Sequence, residues 1–364
     1  MKPRLCIAIY DISQFAGDHS AAVSLLLALR ETYDVSLLSI TSFGPPAYEI
    51  PEDIPVTVLL PPVPAIRDAA VRGFFPALRY FRQQRFDVAV LARNYTGFVL
   101  GPLQPFLSTK LIYWEHGALM SQWNEWNVRM MRRVASRRCR RTVVLTDQTR
   151  NDYMEKLRVP AEKILRIYNW IQLSSPASGA YDASSRRIVS VGRFGVEKGF
   201  DLLVTAFSSV AARHPDWELD LYGDGEMMPT VRQLVTRLGL EERVHLMGMR
   251  RDVGALYRQY AMYVLPSHRE GLPLVLLEAK ANRLPIVAFD VMTGPREIVR
   301  HETDGLLVPP EDTDALAAAM CRLIEDEPLR RQMAERTQED LSRFSRDTIL
   351  TQWRTLIDSL IEEE

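Results

Sequence analysis

Short apolar segments rich in branched residues recur along this chain with helical stretches between them, and that alternation limits the architectures open to it. In the first half the segments are Leu5 to Tyr10, Val35 to Ile40, Val56 to Leu60, Val88 to Leu91, Leu111 to Trp114 and Thr142 to Leu145. The second half repeats the rhythm with Ile188 to Val191, Leu219 to Tyr222, Val244 to Met247, Tyr263 to Leu265, Ile286 to Phe289 and Leu306 to Val308. Strands this continuously apolar are buried on both faces, so they read as parallel sheets covered by crossover helices. Two doubly wound α/β domains result. A length of 364 residues suits two such cores better than one. Between the halves, Ile171 to Ser185 is rich in Ser, Ala, Gly and Pro and lacks apolar periodicity, as a hinge-like linker would. The expected division is 1–172, 173–345 and a final helical segment 346–364.

Doubly wound sheets bind ligands beyond the carboxyl ends of their strands, and polar motifs cluster after the strands predicted here. After Ile188 to Val191 comes GRFGVEKG, with Gly192, Arg193, Gly195, Lys198 and Gly199 ahead of a helix. Glycines let backbone turn sharply beside a ligand, and the two cations suit a diphosphate. The run is not a P-loop, because Phe200 stands where that motif needs a hydroxyl for magnesium. After Tyr263 to Leu265, the run SHREGLPLVLLEAKA places Glu270 in a turn and Glu278 in a helix. Free amides at the start of that helix would seat an anion, leaving both carboxylates to accept hydrogen bonds from sugar hydroxyls. Taken singly, each run also fits a capped surface helix with solvated charges. Gly223, Ser267 and Gly294 follow predicted strands in the same way, as do Gly17 and the Glu115-His116-Gly117 run in the first half.

These residues resemble the retaining sugar-nucleotide glycosyltransferases of family 4, which have the two-domain GT-B fold. The resemblance spans Gly17, EHG at 115 to 117, IYNW around Asn169, GRFGVEKG, YGDGE at 222 to 226, HLMGMR at 245 to 250, EGLPLVLLEA, GPREIV at 294 to 299 and DGLLVPPEDTDALA at 304 to 317. Its C-terminal motifs are the specific ones. The chain departs from the family where Asp18 follows Gly17, a place where a second glycine is common. The resemblance implies two Rossmann-like domains facing a cleft, acceptor side first and donor side second, with the last helix crossing back to the first domain near Trp353. It implies that Glu278 holds the ribose, Glu270 the donor sugar, and the Leu274 and Val275 amides the diphosphate. His116 would lie by the hexose; as a histidine at a strand end, it also fits a purely structural cap. Gly17, Gly192, Gly225 and Met249 would complete the donor pocket, with UDP the expected nucleotide. Asp224, Glu226 and Glu297 read as turn-formers and supports.

Breaking the anomeric bond builds charge on the departing phosphate, which Arg193, Lys198 and helix amides can neutralise without a metal ion. The single DxD pair, Asp312 and Asp314, reads as a helix cap, so neither metal nor cofactor is expected. Retention, with no carboxylate nucleophile evident, points to front-face displacement. The acceptor would be a glycan or lipid-linked glycan of the cell envelope or an exopolysaccharide. A silent sugar-nucleotide sensor, a GT-B epimerase and a phosphorylase are the rivals; the intact Arg193, Lys198, Glu270 and Glu278 oppose the first, and the paired motifs the others.

Net charge is −1, but residues 1–170 carry +7 and the remainder −8. Arg129, Arg132, Arg133, Arg137, Arg138, Arg140 and Arg141 crowd one stretch, with Met130, Met131 and Val134 between them. A basic helix side of this kind can rest on anionic lipid or simply be solvated. Arg67 to Arg85, with Phe74, Phe75, Tyr80 and Phe81, would add apolar wedges. No nucleic-acid motif accompanies the charge. No run spans a bilayer, and the opening MKPRLCIAIYDIS reads as a strand rather than a signal peptide, so the expected location is the cytosol or the inner face of the plasma membrane. Cys6, Cys139 and Cys321, widely spaced, are expected to be free thiols.

Overall fold

The structure, a computed structural model, describes residues 2–171, 181–250 and 256–363. It separates into two units, one made of Met1–Asn169 with Arg346–Glu364 and the other of Trp170–Ser345. Most of the expected linker, residues 172–180, lies outside the described residues. Its last part belongs firmly to the second unit: the Tyr181 hydroxyl donates to the Ala261 carbonyl at 2.5 Å, and Arg330 Nη2 donates to the Ala183 carbonyl at 2.9 Å.

In the first unit the strands are β1 Arg4–Asp11, β2 Asp34–Thr41, β3 Val56–Val58, β4 Val88–Ala92, β5 Lys110–Trp114, β6 Arg141–Val144 and β7 Ile164–Arg166. They form one parallel sheet in the order β3-β2-β1-β4-β5-β6-β7. β1 is buried over seven consecutive positions because helices cover both its faces. Its register sets Cys6 beside Ser36 on one side and Ala89 on the other. The sequence reading lacks β7, whose Ile-Leu-Arg is too short to carry an alternation. The helix Arg346–Glu362 joins this unit through a fully buried Trp353, whose ring meets Trp114 edge-on at 5.0 Å, and through Asp358, which accepts from the Tyr33 hydroxyl at 2.6 Å.

The second unit has β8 Arg187–Val191, β9 Glu218–Tyr222, β10 Val244–Gly248, β11 Met262–Leu265, β12 Ile286–Phe289 and β13 Gly305–Val308, parallel in the order β10-β9-β8-β11-β12-β13. All six were legible as apolar segments. Leu203, Phe207, Leu219, Val264, Leu316 and Met320 are among its core residues. A lysine also lies in this interior. Lys280 is fully buried, and its ammonium donates to the Ile298 carbonyl at 2.8 Å, to Asp304 at 3.1 Å and to Asp340 at 2.6 Å. Three N–H groups meet three acceptors, which is what makes a buried ammonium tolerable. The helix Leu274–Ala281 is thereby fixed at its C-terminal end, leaving its N-terminal end to do other work.

Candidate active site

Each sheet reverses its strand order once, between β1 and β4 in the first unit and between β8 and β11 in the second. Crevices beyond such reversals are where open α/β sheets hold ligands.

In the second unit, the turn after β8 carries Gly192 to Gly199. Lys198 Nζ donates to Glu270 Oε1 at 2.7 Å, and the Ser267 hydroxyl donates to the same oxygen at 2.7 Å. The turns after β8 and β11 therefore meet in one charged cluster. The backbone supports it closely: a Cβ on Gly199 (φ 61) would lie 2.2 Å from the Pro266 carbonyl oxygen, so only glycine permits this approach. Thr293 donates to the Glu270 carbonyl at 2.6 Å. Arg193 is placed differently, being largely exposed and paired with Glu197 at 2.8 Å and Glu226 at 3.7 Å. The two cations expected to act together thus rest on separate carboxylates.

The helix Leu274–Ala281 begins after Pro273, with no side chain capping it. Its first amides, on Leu274 and Val275, have no intrahelical carbonyl to bond. One turn on, Glu278 accepts from the buried Tyr257 hydroxyl at 3.3 Å. Burial pushes its carboxyl up to about 7, with the Tyr257 bond pulling the other way. Gly192 makes only ordinary contacts where a side chain would stand. At Gly225 (φ 153), by contrast, a Cβ would meet the Phe194 carbonyl oxygen at 2.6 Å. Asp224 accepts from the Gly225 amide at 2.8 Å, which makes it a turn-former. Met249 is 69% exposed just past β10. Asp312 caps the helix Thr313–Glu325 by accepting from Ala315 N at 2.8 Å. Among the described residues one group of three potential metal ligands, His214, Cys321 and Glu325, comes together, and it shares no member with the predicted site.

In the first unit, His116 lies two residues past β5, its ring 4.3 Å from that of Trp114. Burial pushes its imidazole down to about 4, against the pull of Asp18 and Glu115, so the ring is neutral at pH 7. Its Nε2 is buried without a partner among the described residues. Glu115 explains how this turn is held. Its Oε2 accepts from Arg132 Nε at 2.7 Å, the Tyr113 hydroxyl at 2.5 Å and the Tyr153 hydroxyl at 2.8 Å, while Oε1 accepts from Gly117 N at 2.8 Å. Burial pushes this carboxyl up, but Arg132 and the other donors outweigh it and hold it below its ordinary value. Arg132 reaches further, donating to the Leu119 carbonyl at 3.2 Å and to Gln122 at 3.1 Å.

That network corrects the basic stripe read from the sequence. Arg132 is buried, 2% exposed, inside the unit rather than on a surface. Arg140 and Arg141 pair with Glu363, and Arg129 lies over the Trp123 ring at 4.9 Å. Only Arg133, Arg137 and Arg138 of the seven are exposed with no side-chain partner among the described residues. Gly17 opens the helix Gly17–Leu29, and a Cβ there would meet nothing within 4 Å. No helix among the described residues is long and apolar enough to cross a membrane. The three cysteines are buried and unpaired.

The chain matches the family model described as Glycosyltransferase Family 4 over residues 20–175 and that described as Glycosyl transferases group 1 over residues 175–340. It is 26% identical over 365 residues to the amylovoran biosynthesis glycosyltransferase AmsD of Erwinia amylovora, covering 98% of this chain and 99% of that one. It is 39% identical over 221 residues to an exopolysaccharide phosphotransferase of Streptomyces coelicolor, matching 60% of this chain but only 23% of that protein's length. Its fold is shared with Anabaena Alr3699/HepE, solved in complex with UDP and glucose, at a TM-score of 0.82 and 21% identity over 98% of this chain and 99% of the other. With both sheets built as that fold requires and the two family models together running from residue 20 to residue 340, the chain belongs to the GT-B glycosyltransferases of family 4 type.

Proposed function

We propose that this glycosyltransferase moves a hexosyl group from a nucleoside-diphosphate sugar, with UDP as the nucleotide, to a glycan or lipid-linked glycan acceptor of the cell envelope or an exopolysaccharide, with retention and without a metal ion. The observation that carries this reading is the Lys198–Glu270 pair beside an uncapped helix start. Diphosphate oxygens bind the Leu274 and Val275 amides and compete with Glu270 for Lys198 and with Glu197 for Arg193. Glu270, released from the lysine, turns to the hexose hydroxyls; Glu278, once ionised, accepts from the ribose diol. From the first unit, neutral His116 is assigned to a hydroxyl of the transferred hexose.

The step itself balances simply. The bond between the anomeric carbon and the phosphate oxygen breaks with its electron pair leaving on phosphate. The acceptor oxygen bonds the same face of the carbon, and its proton passes to the departing phosphate. Arg193, Lys198 and the helix amides stabilise the charge that builds there, and one such placed donor is worth about 3 to 4 kcal/mol. Lys198→Ala therefore lowers kcat by about 10²- to 10³-fold while the fold survives. Turnover near the wild-type rate in a folded variant overturns the assignment, and an inverted anomer in the product's proton NMR spectrum overturns retention. The kinship with amylovoran biosynthesis supports the polysaccharide acceptor.

The reading also includes contact of the first unit with anionic membrane. The support shifts from the helix Trp126–Arg138 to the helix Ile66–Gln84, where Val71 and Phe75 are 71% and 75% exposed among the exposed Arg67, Arg72, Arg79 and Arg82. Apolar wedges among cations suit an anionic headgroup layer. Phe75→Glu then lowers co-sedimentation with phosphatidylglycerol vesicles at least several-fold, and equal binding of wild type and variant removes the contact from the account.

A further inference from the structure

In the second unit, far from the Lys198 turn, three side chains of different ligand chemistry converge. One ligand atom each of His214, Cys321 and Glu325 lies within 4.8 Å of the other two, and no other such group occurs among the described residues. Two packed helices bring them together. His214 ends the helix Phe200–Arg213, its amide donating to the Val210 carbonyl at 2.8 Å, while Cys321 and Glu325 stand one turn apart at the end of the helix Thr313–Glu325. The first of these helices is 14 residues long, so this end lies about 20 Å from the turn that precedes its start.

The surroundings suit a cation. Both helices present their C-terminal ends here, where carbonyls lack intrahelical donors and the peptide dipoles favour positive charge. The helix Glu327–Arg336 starts nearby, but the Asp326 carboxylate caps it by accepting from Leu329 N at 2.9 Å. Glu325 Oε1 already lies 3.1 Å from His214 Nε2, and it also accepts from Arg213 Nη2 at 2.8 Å. Arg213 is more than half exposed, so a metal ion could take Glu325 from it at little loss. The other cation here, Arg322, is engaged with Glu302. Cys321 is 3% exposed and borders an open cavity of about 440 Å³ with Arg213, Glu325 and Asp326. Burial pushes its thiol up, which makes it a poor free nucleophile, whereas a bound dication deprotonates a coordinating thiol outright.

We propose that His214, Cys321 and Glu325 bind one zinc ion through imidazole nitrogen, thiolate sulfur and carboxylate oxygen, with water from the cavity in the fourth position, and that the ion staples the ends of the two helices. Sulfur, nitrogen and oxygen together match zinc's borderline softness, whereas magnesium and calcium select oxygen alone. Zinc bonds of about 2.0 to 2.3 Å set neighbouring ligand atoms about 3.3 to 3.6 Å apart in a tetrahedron, which small rotations of these side chains reach. The thiol proton leaves to solvent as the Zn–S bond forms, so binding tightens as pH rises.

The test titrates the full chain, stripped with a chelator, with Zn²⁺ alone in a calorimeter. One ion binds per chain and raises the thermal midpoint, because the ligand set exists only in the folded state. Cys321→Ser, His214→Gln and Glu325→Gln each weaken the Kd at least about tenfold, since even partners behind the ligands are typically worth that much. His245→Gln is the control, because His245 Nε2 lies 3.1 Å from Glu218 Oε2 without belonging to such a group, and its Kd stays that of wild type. Co²⁺ bound to the wild-type protein gives a sulfur-to-cobalt charge-transfer band, a readout that needs no variant to fold. Binding that Cys321→Ser leaves intact, or that His245→Gln weakens equally, means an adventitious ion only and overturns the proposal, as does bound Co²⁺ without that band. The titration involves no sugar nucleotide, so its failure leaves the transferase reading untouched.

Discussion

The two sheets end in the same device built in opposite polarity. At the reversal point of the second, a cation after β8 meets a carboxylate after β11, Lys198 with Glu270. In the first, a carboxylate after β1 meets a cation after β4, Asp18 with Arg93. The surroundings differ more than the pairs do. In the second unit, glycines at 199 and 225 bring backbone against backbone in the turns after β8 and β9. In the first, Arg93 adopts left-handed backbone, φ 72, and a buried ion pair holds the neighbouring turn. One edge gets its shape from close-packed main chain, the other from side-chain charge.

The strongest way to break that contrast is to remove Arg132. If side-chain charge shapes the first unit's edge, Arg132→Met strands Glu115 among buried groups and costs about 3 to 5 kcal/mol of unfolding free energy. Urea titration would show it as a lowered midpoint, and pairing it with Glu115→Leu should restore part of the loss. Arg137→Met on the same helix, an exposed change, stays within about 0.5 kcal/mol. Equal effects at Arg132 and Arg137 would return Arg132 to the surface stripe.

That arginine also shows what the sequence could carry. The second unit's Lys198–Ser267–Glu270 cluster was readable because its members fall in two short runs, each directly after a strand, with glycines marking where backbone must approach. Asp18 and Arg93 are far apart in the chain, with no spacing rule to join them, and only the strand order brings them together. Arg132 misled for a related reason. Composition gives the charge of a helix but not which charged residue faces inward, and a buried guanidinium depends on Glu115, whose position β5 sets. The strands themselves were legible throughout except β7, since parallel burial leaves an apolar signature that needs no knowledge of partners.

Acidity sharpens the second half of the contrast. The Glu278 carboxyl is raised to about 7 from an ordinary 4.5, so in the folded protein it holds its proton where the unfolded chain has released one. Its contribution to stability is fully present below pH 4.5 and is lost as pH rises through 7, by about 3 kcal/mol at most. If Glu278 holds the ribose of UDP as proposed, binding runs the other way, weakening as pH falls below 7 because the protonated group must first ionise. Glu278→Gln should flatten both slopes. Calorimetric UDP titrations between pH 5.5 and 8 that show equal slopes in wild type and variant would remove Glu278 from the ribose.

The smallest effect belongs to Gly17. Gly225→Ala drives a Cβ into the Phe194 carbonyl and must displace main chain, whereas Gly17→Ala adds a methyl to open space in the first turn of a helix. Helix propensity alone makes the latter neutral or stabilising by less than about 1 kcal/mol. A folded Gly17→Ala protein thus isolates function from fold. Were Gly17 a phosphate contact, the added methyl would occupy the ligand's approach and raise the donor KM; were diphosphate held only by the second unit, the donor KM would not move. Because Asp18 follows Gly17 where a second glycine is common in the family, the unchanged KM is the expected result. A donor KM raised severalfold in the folded variant would bring the first unit's glycine back into the donor site and narrow the contrast between the two edges.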